Sequence, residues 1–141
     1  MIKFEKVPSD VLSRLPEAER ALSLDDNVIF AYLFGGAASG KITPLSDIDI
    51  AVYVRDTGNM AEYKLDLFDR LSEALGTTEV DLVILNQAST SIAGRVLGSR
   101  RILVDKEPFE RHRYESLVLR EFFDFKVKED DLYYRRYGIG R

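Results

Sequence analysis

Two aspartates separated by a single residue, Asp47 and Asp49, follow ten residues after a pair of glycines, Gly35 and Gly36. On an extended chain, side chains two residues apart project from the same face. The two Cα atoms would stand roughly 6.5 to 7 Å apart, which lets both carboxylates converge on divalent cations. Without a cation the pair is costly, because two carboxylates roughly 5 Å apart repel by about 3 kcal/mol at an effective dielectric of 20. Mg²⁺ removes that repulsion and prefers the hard oxygen donors that carboxylates and phosphates both offer. The glycines supply the complementary half. A backbone without Cβ atoms approaches a phosphate closely and offers free N–H groups at the start of a helical turn. A further acid, Asp81, opens the apolar run Leu82-Val83-Ile84-Leu85. If its strand neighbours that of Asp47, one glycine turn and three acids describe a metal–triphosphate site.

Each part also has a plainer reading. A glycine pair alone is more often a turn, an Asp-x-Asp pair is more often solvated surface or loop capping, and Asp81 alone could simply start a strand. The combination is what carries weight. A Gly-[Gly/Ser]-x10-Asp-x-Asp pattern arises by chance in on the order of one per cent of chains of this composition.

The surrounding sequence must position these groups. Apolar residues at Val11, Leu12, Leu15, Ala18 and Leu22 predict a helix over 9–24 that tolerates Pro16. The apolar run 28–34 predicts a buried strand, stopped by the glycines. A helical turn over 37–41 and a loop containing Pro44 lead to a second strand over 47–54. There Ile48, Ile50 and Val52 alternate with Asp47, Asp49 and Ala51. Leu65, Phe68, Leu71 and Leu75 predict an amphipathic helix over 62–75, with Gly76 as its stop. A third strand follows over 79–85, then a helix through residue 97 capped by Ser89, and a short strand over 101–104. Pro108 opens a long helix through about residue 126, with an apolar face drawn from Leu117, Leu119, Phe122 and Phe123. The alternation predicts an α/β (α+β) fold with a small mixed β-sheet flanked by helices. One domain over 1–141 is expected, with a C-terminal helical segment from about residue 107.

Composition narrows the function classes. The chain of 141 residues is 45% hydrophobic, enough for one packed core. No run reaches the roughly 18 apolar residues of a membrane span, and the N-terminus lacks a signal-peptide pattern. Without cysteine there is no disulfide framework and no thiolate metal site, so a cytoplasmic location is expected. Twenty basic against 24 acidic residues give a net charge of −4, which argues against broad nucleic-acid backbone binding.

The residues Leu33-Phe34-Gly35-Gly36 and Pro44-Leu45-Ser46-Asp47-Ile48-Asp49-Ile50-Ala51-Val52 resemble the signature of the nucleotidyltransferase superfamily related to DNA polymerase β. The branch resembled most is the minimal nucleotidyltransferases, antitoxin partners of HEPN ribonucleases. The similarity continues through Glu79-Val80-Asp81-Leu82-Val83-Ile84-Leu85-Asn86, then Arg100-Arg101-Ile102-Leu103-Val104-Asp105, and into the long C-terminal helix. The resemblance implies a polymerase β-like nucleotidyltransferase fold. It also implies Mg²⁺ as cofactor, ATP as nucleotide, and AMP transfer to a tyrosine of a HEPN ribonuclease toxin. Asp47 and Asp49 would bind the metal ions that bridge the triphosphate. Asp81 would ligate the catalytic metal and help deprotonate the attacking hydroxyl. The family usually carries Ser where Gly36 stands, and that hydroxyl contacts phosphate. Here the contact falls to backbone N–H groups, with Ser39 and Lys41 as further nucleotide-binding candidates.

Two other readings stay open: an antitoxin that neutralises its toxin by binding alone, and an enzyme nucleotidylating a small hydroxyl compound. The latter usually needs an additional acidic pocket, for which the chain has little room. His112, the one histidine, sits in the charged stretch Arg111-His112-Arg113-Tyr114 and is expected to be a solvated or packed helix residue. His112-x-Tyr114 echoes part of the toxin's own Arg-x4-His-x-Tyr motif, but Glu107 occupies the arginine position, which rejects a toxin reading. The closing Tyr133-Tyr134-Arg135-Arg136-Tyr137 could dock a partner, pack on its own domain, or fray. Aromatic residues along 114–125 are expected in the core. A homo-oligomer is possible on sequence grounds.

Overall fold

The computed structural model describes residues 11–38 and 47–137. Four strands form one mixed sheet: β1 (Val28–Phe34), β2 (Ile48–Val54), β3 (Val80–Ile84) and β4 (Arg101–Asp105), in the spatial order β3-β2-β1-β4. β1 pairs antiparallel with both β2 and β4, whereas β2 and β3 run parallel. All seven residues of β1 are buried, as its unbroken apolar run requires of a strand covered on both faces.

The helices divide between those faces. On the first, α1 (Leu15–Leu24) and α3 (Met60–Leu75) bury Leu22, Leu67 and Leu71 against Leu33, Ile50 and Val52. On the second, α4 (Thr90–Gly98) and α5 (Pro108–Tyr137) cover Phe30, Tyr32, Phe34 and Ala51 with Val96, Leu97 and Val118. Phe30 stacks on Tyr53 at 4.9 Å between ring centroids, and Tyr114 of α5 closes the cluster 5.1 Å from Tyr53. Burial first, then the charges of Tyr53 and Glu121, push the Tyr114 phenol up to about 12.

Local chemistry sets the helix ends. A 3₁₀ turn, Val11–Arg14, leads into α1, so this segment is not one continuous helix. Pro16 sits in the first turn of α1, where a missing N–H breaks no helical bond. The Asn59 side chain caps α3 by accepting from the Glu62 N–H at 3.1 Å, and Glu62 Oε2 accepts from Asn59 Nδ2 in return. Gly76 ends α3 in the left-handed region, with φ 71°. Ser89 caps α4 through the Ile92 N–H.

Three expectations need correction. The buried stripe of α3 is Tyr63, Leu67, Leu71 and Leu75, and Leu65 points to solvent, 68% exposed. Leu65 and Leu67 lie about 200° apart around a helix, so one residue's choice of face excludes the other. Helix α5 continues to Tyr137 rather than stopping near residue 126, because the sequence holds no glycine or proline before Gly138 and Arg135 pairs with Asp131 one turn back at 3.3 Å. Its apolar face is the expected one only in part, at Leu119 and Phe122. Val118 is buried and Tyr114 and Leu119 pack beside it, but Leu117, Phe123 and Phe125 are exposed. The Phe122 ring lies against Gly94 of α4, where any Cβ would overlap it. Among the described residues no helix is long and apolar enough to cross a membrane.

Candidate active site

The glycine turn and the acids meet at one end of the sheet. β1 ends there, β2 and β3 begin there, and β4 starts on the other side of β1. Asp47 directly precedes β2 and Asp49 is its second residue; both are partly buried. Asp81, the second residue of β3, is exposed on the sheet's edge. The parallel register makes Asp49 and Asp81 direct neighbours, with Ala51 opposite Val83 beyond them. Alternation along β2 therefore sets Asp47, Asp49 and Asp81 on the face that carries the Phe30–Tyr53 cluster, while Ile48, Ile50 and Leu82 turn to the other core.

Among the described residues, no three His, Asp or Glu side chains already form a group able to hold a metal ion. The register joins Asp49 to Asp81 and leaves Asp47 beside them on the same strand face. The three are not drawn into a closed cluster.

Gly35 follows Phe34, which is the register partner of Asp49. The turn α2 (Gly35–Ala38) begins at Gly35 itself, earlier than residue 37, with φ 68°. A Cβ on Gly35 would overlap Asp49 Oδ2. Glycine is thus required twice here, by the left-handed backbone and by the carboxylate lying where a side chain would point. Gly36, next along, is exposed. The expected free donor at Gly35 is not free: its N–H donates to Ser99 Oγ at 3.1 Å. Ser39 and Lys41 lie outside the described residues, as does Pro44.

Ser99 belongs to the turn between α4 and β4, and sequence reading passed over it. That turn is clamped from below. Arg100 Nη1 donates to the Leu97 carbonyl at 2.6 Å, and its Nε lies 3.0 Å from Glu115 Oε2. Glu115, 8% exposed, also accepts from the Tyr32 hydroxyl at 2.6 Å and from Arg111 Nη1 at 3.0 Å. Burial first, then the bond to Glu115, raises the Tyr32 phenol far above its ordinary value. Arg111 extends the network to Asp105 at the end of β4. A buried carboxylate met by two guanidinium groups and a phenol is satisfied, so this cluster holds the end of β1 and the 99–100 turn in a fixed relation. Sequence spacing carries no trace of it, because Tyr32 and Glu115 are 83 residues apart.

His112 is a solvated helix residue, with its side chain 68% exposed and 3.9 Å from Glu115. A concavity of about 620 Å³ between α1 and α3 is lined by Glu17, Arg20, Arg70 and Glu73 and does not include the aspartates. A smaller cleft lined by Lys64, Gln87, Ala88 and Ile92 opens beside Asp81.

Comparison with known proteins bears on this arrangement. The family model described as polymerase beta, nucleotidyltransferase matches residues 17–109, a span containing both glycines and all three aspartates. The fold is similar to that of a toxin–antitoxin crystal structure with AMP-PNP, with a TM-score of 0.68 and 24% identity over 86% of this chain and 94% of that one. A mutant of the toxin–antitoxin pair MntA–HpeT is similar at a TM-score of 0.66 and 25% identity, over 85% and 92% of the two chains. So is a structure of the tri-AMPylated Shewanella oneidensis HEPN toxin in complex with MNT antitoxin, at 0.64 and 22%, over 84% and 94%. No curated protein matches the chain.

Proposed function

The chain belongs to the polymerase beta nucleotidyltransferase family, and from that premise we propose that it is an antitoxin that transfers AMP from Mg-ATP to a tyrosine of a HEPN-type ribonuclease toxin. The observation that carries the reading is the register pair Asp49–Asp81, with Asp47 on the same face and the side-chain-free Gly35 over Asp49. Likeness to toxin–antitoxin structures, one with AMP-PNP and one with an AMPylated HEPN toxin, supports the nucleotide and the partner.

The donor set suits a hard divalent cation. Three carboxylates offer oxygen only, and the Asp49 carboxylate can lie against the turn because Gly35 has no Cβ. Asp47, Asp49 and Asp81 would hold Mg²⁺, which when bound neutralises charge on the triphosphate and on the oxygens of the displacement. The chain's own groups do the rest. The Gly35–Gly36 turn gives the triphosphate room beside the carboxylates. Asp81, exposed on the edge strand beside an open cleft, faces the direction from which a partner's side chain can arrive. It accepts the tyrosine hydroxyl proton as the phenol oxygen bonds to the α-phosphorus. The bond from that phosphorus to the bridging oxygen breaks, and pyrophosphate leaves.

The test begins with calorimetric titration of Mg-ATP into the wild-type protein and Asp49→Ala. Mass spectrometry of a co-purified ribonuclease then follows the gain of adenylyl groups. Metal-dependent binding lost in the variant, with adenylylation of the partner, is the expected result. A second reading, neutralisation by binding alone, draws on Gly36 in the usual serine position and on the engaged Gly35 amide. Under that reading Asp49→Ala still silences the toxin.

A further inference from the structure

The hydroxyl of Ser99 lies 3.1 Å from the Gly35 nitrogen, beside a glycine turn with no hydroxyl of its own at positions 35 and 36. Ser99 is the residue that closes α4, its N–H bonded to the Val96 carbonyl at 3.3 Å. Its position is fixed by its neighbour Arg100, held between the Leu97 carbonyl and the buried Glu115, which also takes the hydroxyl of Tyr32 on β1. Three residues after Tyr32, Gly35 donates its N–H to Ser99 Oγ. The same Gly35 has its missing Cβ directed at Asp49 Oδ2. One residue is thus flanked by a carboxylate and by an exposed hydroxyl from a distant turn.

A serine hydroxyl has one hydrogen to donate and lone pairs to accept. Ser99 uses its oxygen to accept from Gly35, and among the described residues nothing accepts its hydrogen. Accepting an N–H polarises a hydroxyl and makes it a better donor in turn. The Gly35 amide is already engaged and Gly36 has no side chain, so among the described residues the Ser99 O–H is a side-chain donor beside this end of the turn. The ligand chemistry it suits is a phosphoryl oxygen, brought alongside by a cation on Asp49.

Resting on the nucleotidyltransferase reading above, we infer that Ser99 donates a hydrogen bond to a phosphate of the bound nucleotide's polyphosphate chain. It supplies from the α4–β4 turn the hydroxyl absent at position 36.

Calorimetry with Mg-ATP and with inorganic Mg-triphosphate tests this on the full chain as wild type, Ser99→Ala, Ser99→Thr and Asp49→Ala. A hydrogen bond to a charged oxygen predicts that Ser99→Ala weakens both ligands by about 10-fold or more. Ser99→Thr restores most of that loss. Thermal unfolding keeps the comparison to folded protein. Amide exchange at Gly35 should quicken in Ser99→Ala whether or not a phosphate is contacted, so it reports the clamp alone. Wild-type affinity in Ser99→Ala, with faster Gly35 exchange and with Asp49→Ala still deficient, would reduce Ser99 to a clamp and overturn the inference. Failure of the wild-type protein to bind either ligand would overturn the nucleotide reading as well, and the absence of any Asp49→Ala effect marks that case.

Discussion

At Gly35 two demands coincide: a left-handed backbone, and no side chain where Asp49 Oδ2 lies. Gly35→Ala should therefore cost about 1–2 kcal/mol of folding stability from the backbone alone. It should also lose Mg-ATP affinity, because the new methyl displaces the carboxylate. Urea unfolding and calorimetry read the two effects separately, and an alanine variant that binds normally would deny Asp49 its place in the site. Asp81 differs from Asp49 in exposure, and its proposed task differs with it. Asp81→Asn should keep measurable nucleotide binding while adenylyl transfer falls by about 100-fold or more, as expected when a positioned proton acceptor is removed. Equal losses in binding and transfer would make it a plain ligand instead. The aspartates and glycines were legible in the sequence because one motif spaces them along a strand, a turn and a strand. Ser99 was not, since a hydroxyl that closes a helix reads in sequence like any other helix-ending serine.

At the scale of elements, the loop between α1 and β1 is tied to α3 through a single carboxylate. Asp25, buried, accepts from the Tyr63 hydroxyl at 2.7 Å, from the Asn27 N–H at 2.9 Å, and from Arg70 at 2.9 Å. Burial, the largest influence, pushes its pKa up, but the three donors together outweigh it and hold the carboxyl below its ordinary value. A carboxyl depressed in the fold stabilises it above the unfolded pKa of about 4, and that contribution disappears as pH falls through the folded value. Urea midpoints of the wild-type protein should thus drop more steeply below about pH 4 than those of Asp25→Asn. Parallel pH profiles would show that Asp25 titrates alike in both states. On the other face, Tyr32→Phe removes the phenol donor to Glu115, leaving its contacts to Arg100 and Arg111, and should cost about 1.5–3 kcal/mol by thermal or urea unfolding. Element types were readable throughout, because each strand is a short apolar run and α3 and α4 carry explicit caps. The choice of Leu65 for the buried stripe of α3 failed because two apolar stripes compete there, and only the sheet beneath selects Tyr63 and Leu67. That β3 neighbours β2 was only a condition in the sequence, because their parallel register joins residues 32 positions apart and no local pattern records it.

For the whole molecule, the second half of α5 stands apart from the two cores. Phe123, Phe125, Val127 and Leu132 are each more than half exposed, and so contribute little to the domain's own stability. A chain ending at Phe122 should keep its thermal midpoint within roughly 5 °C, since the described side chains beyond it are mostly exposed. A larger fall would mean that these side chains are covered in solution. Isolated helices of this length are marginal in water, so circular dichroism of the full chain should show this half fraying before the rest unfolds. The close fit of Phe122 on Gly94 then has a consequence for direction. It makes Gly94 the pivot of a pointer whose outer arm, from Phe122 to Tyr137, reaches roughly 22 Å at 1.5 Å per residue. A tilt of about 5° at that pivot swings the tip by about 2 Å over such an arm. One methyl group added on α4 would re-aim whatever the outer end of α5 touches.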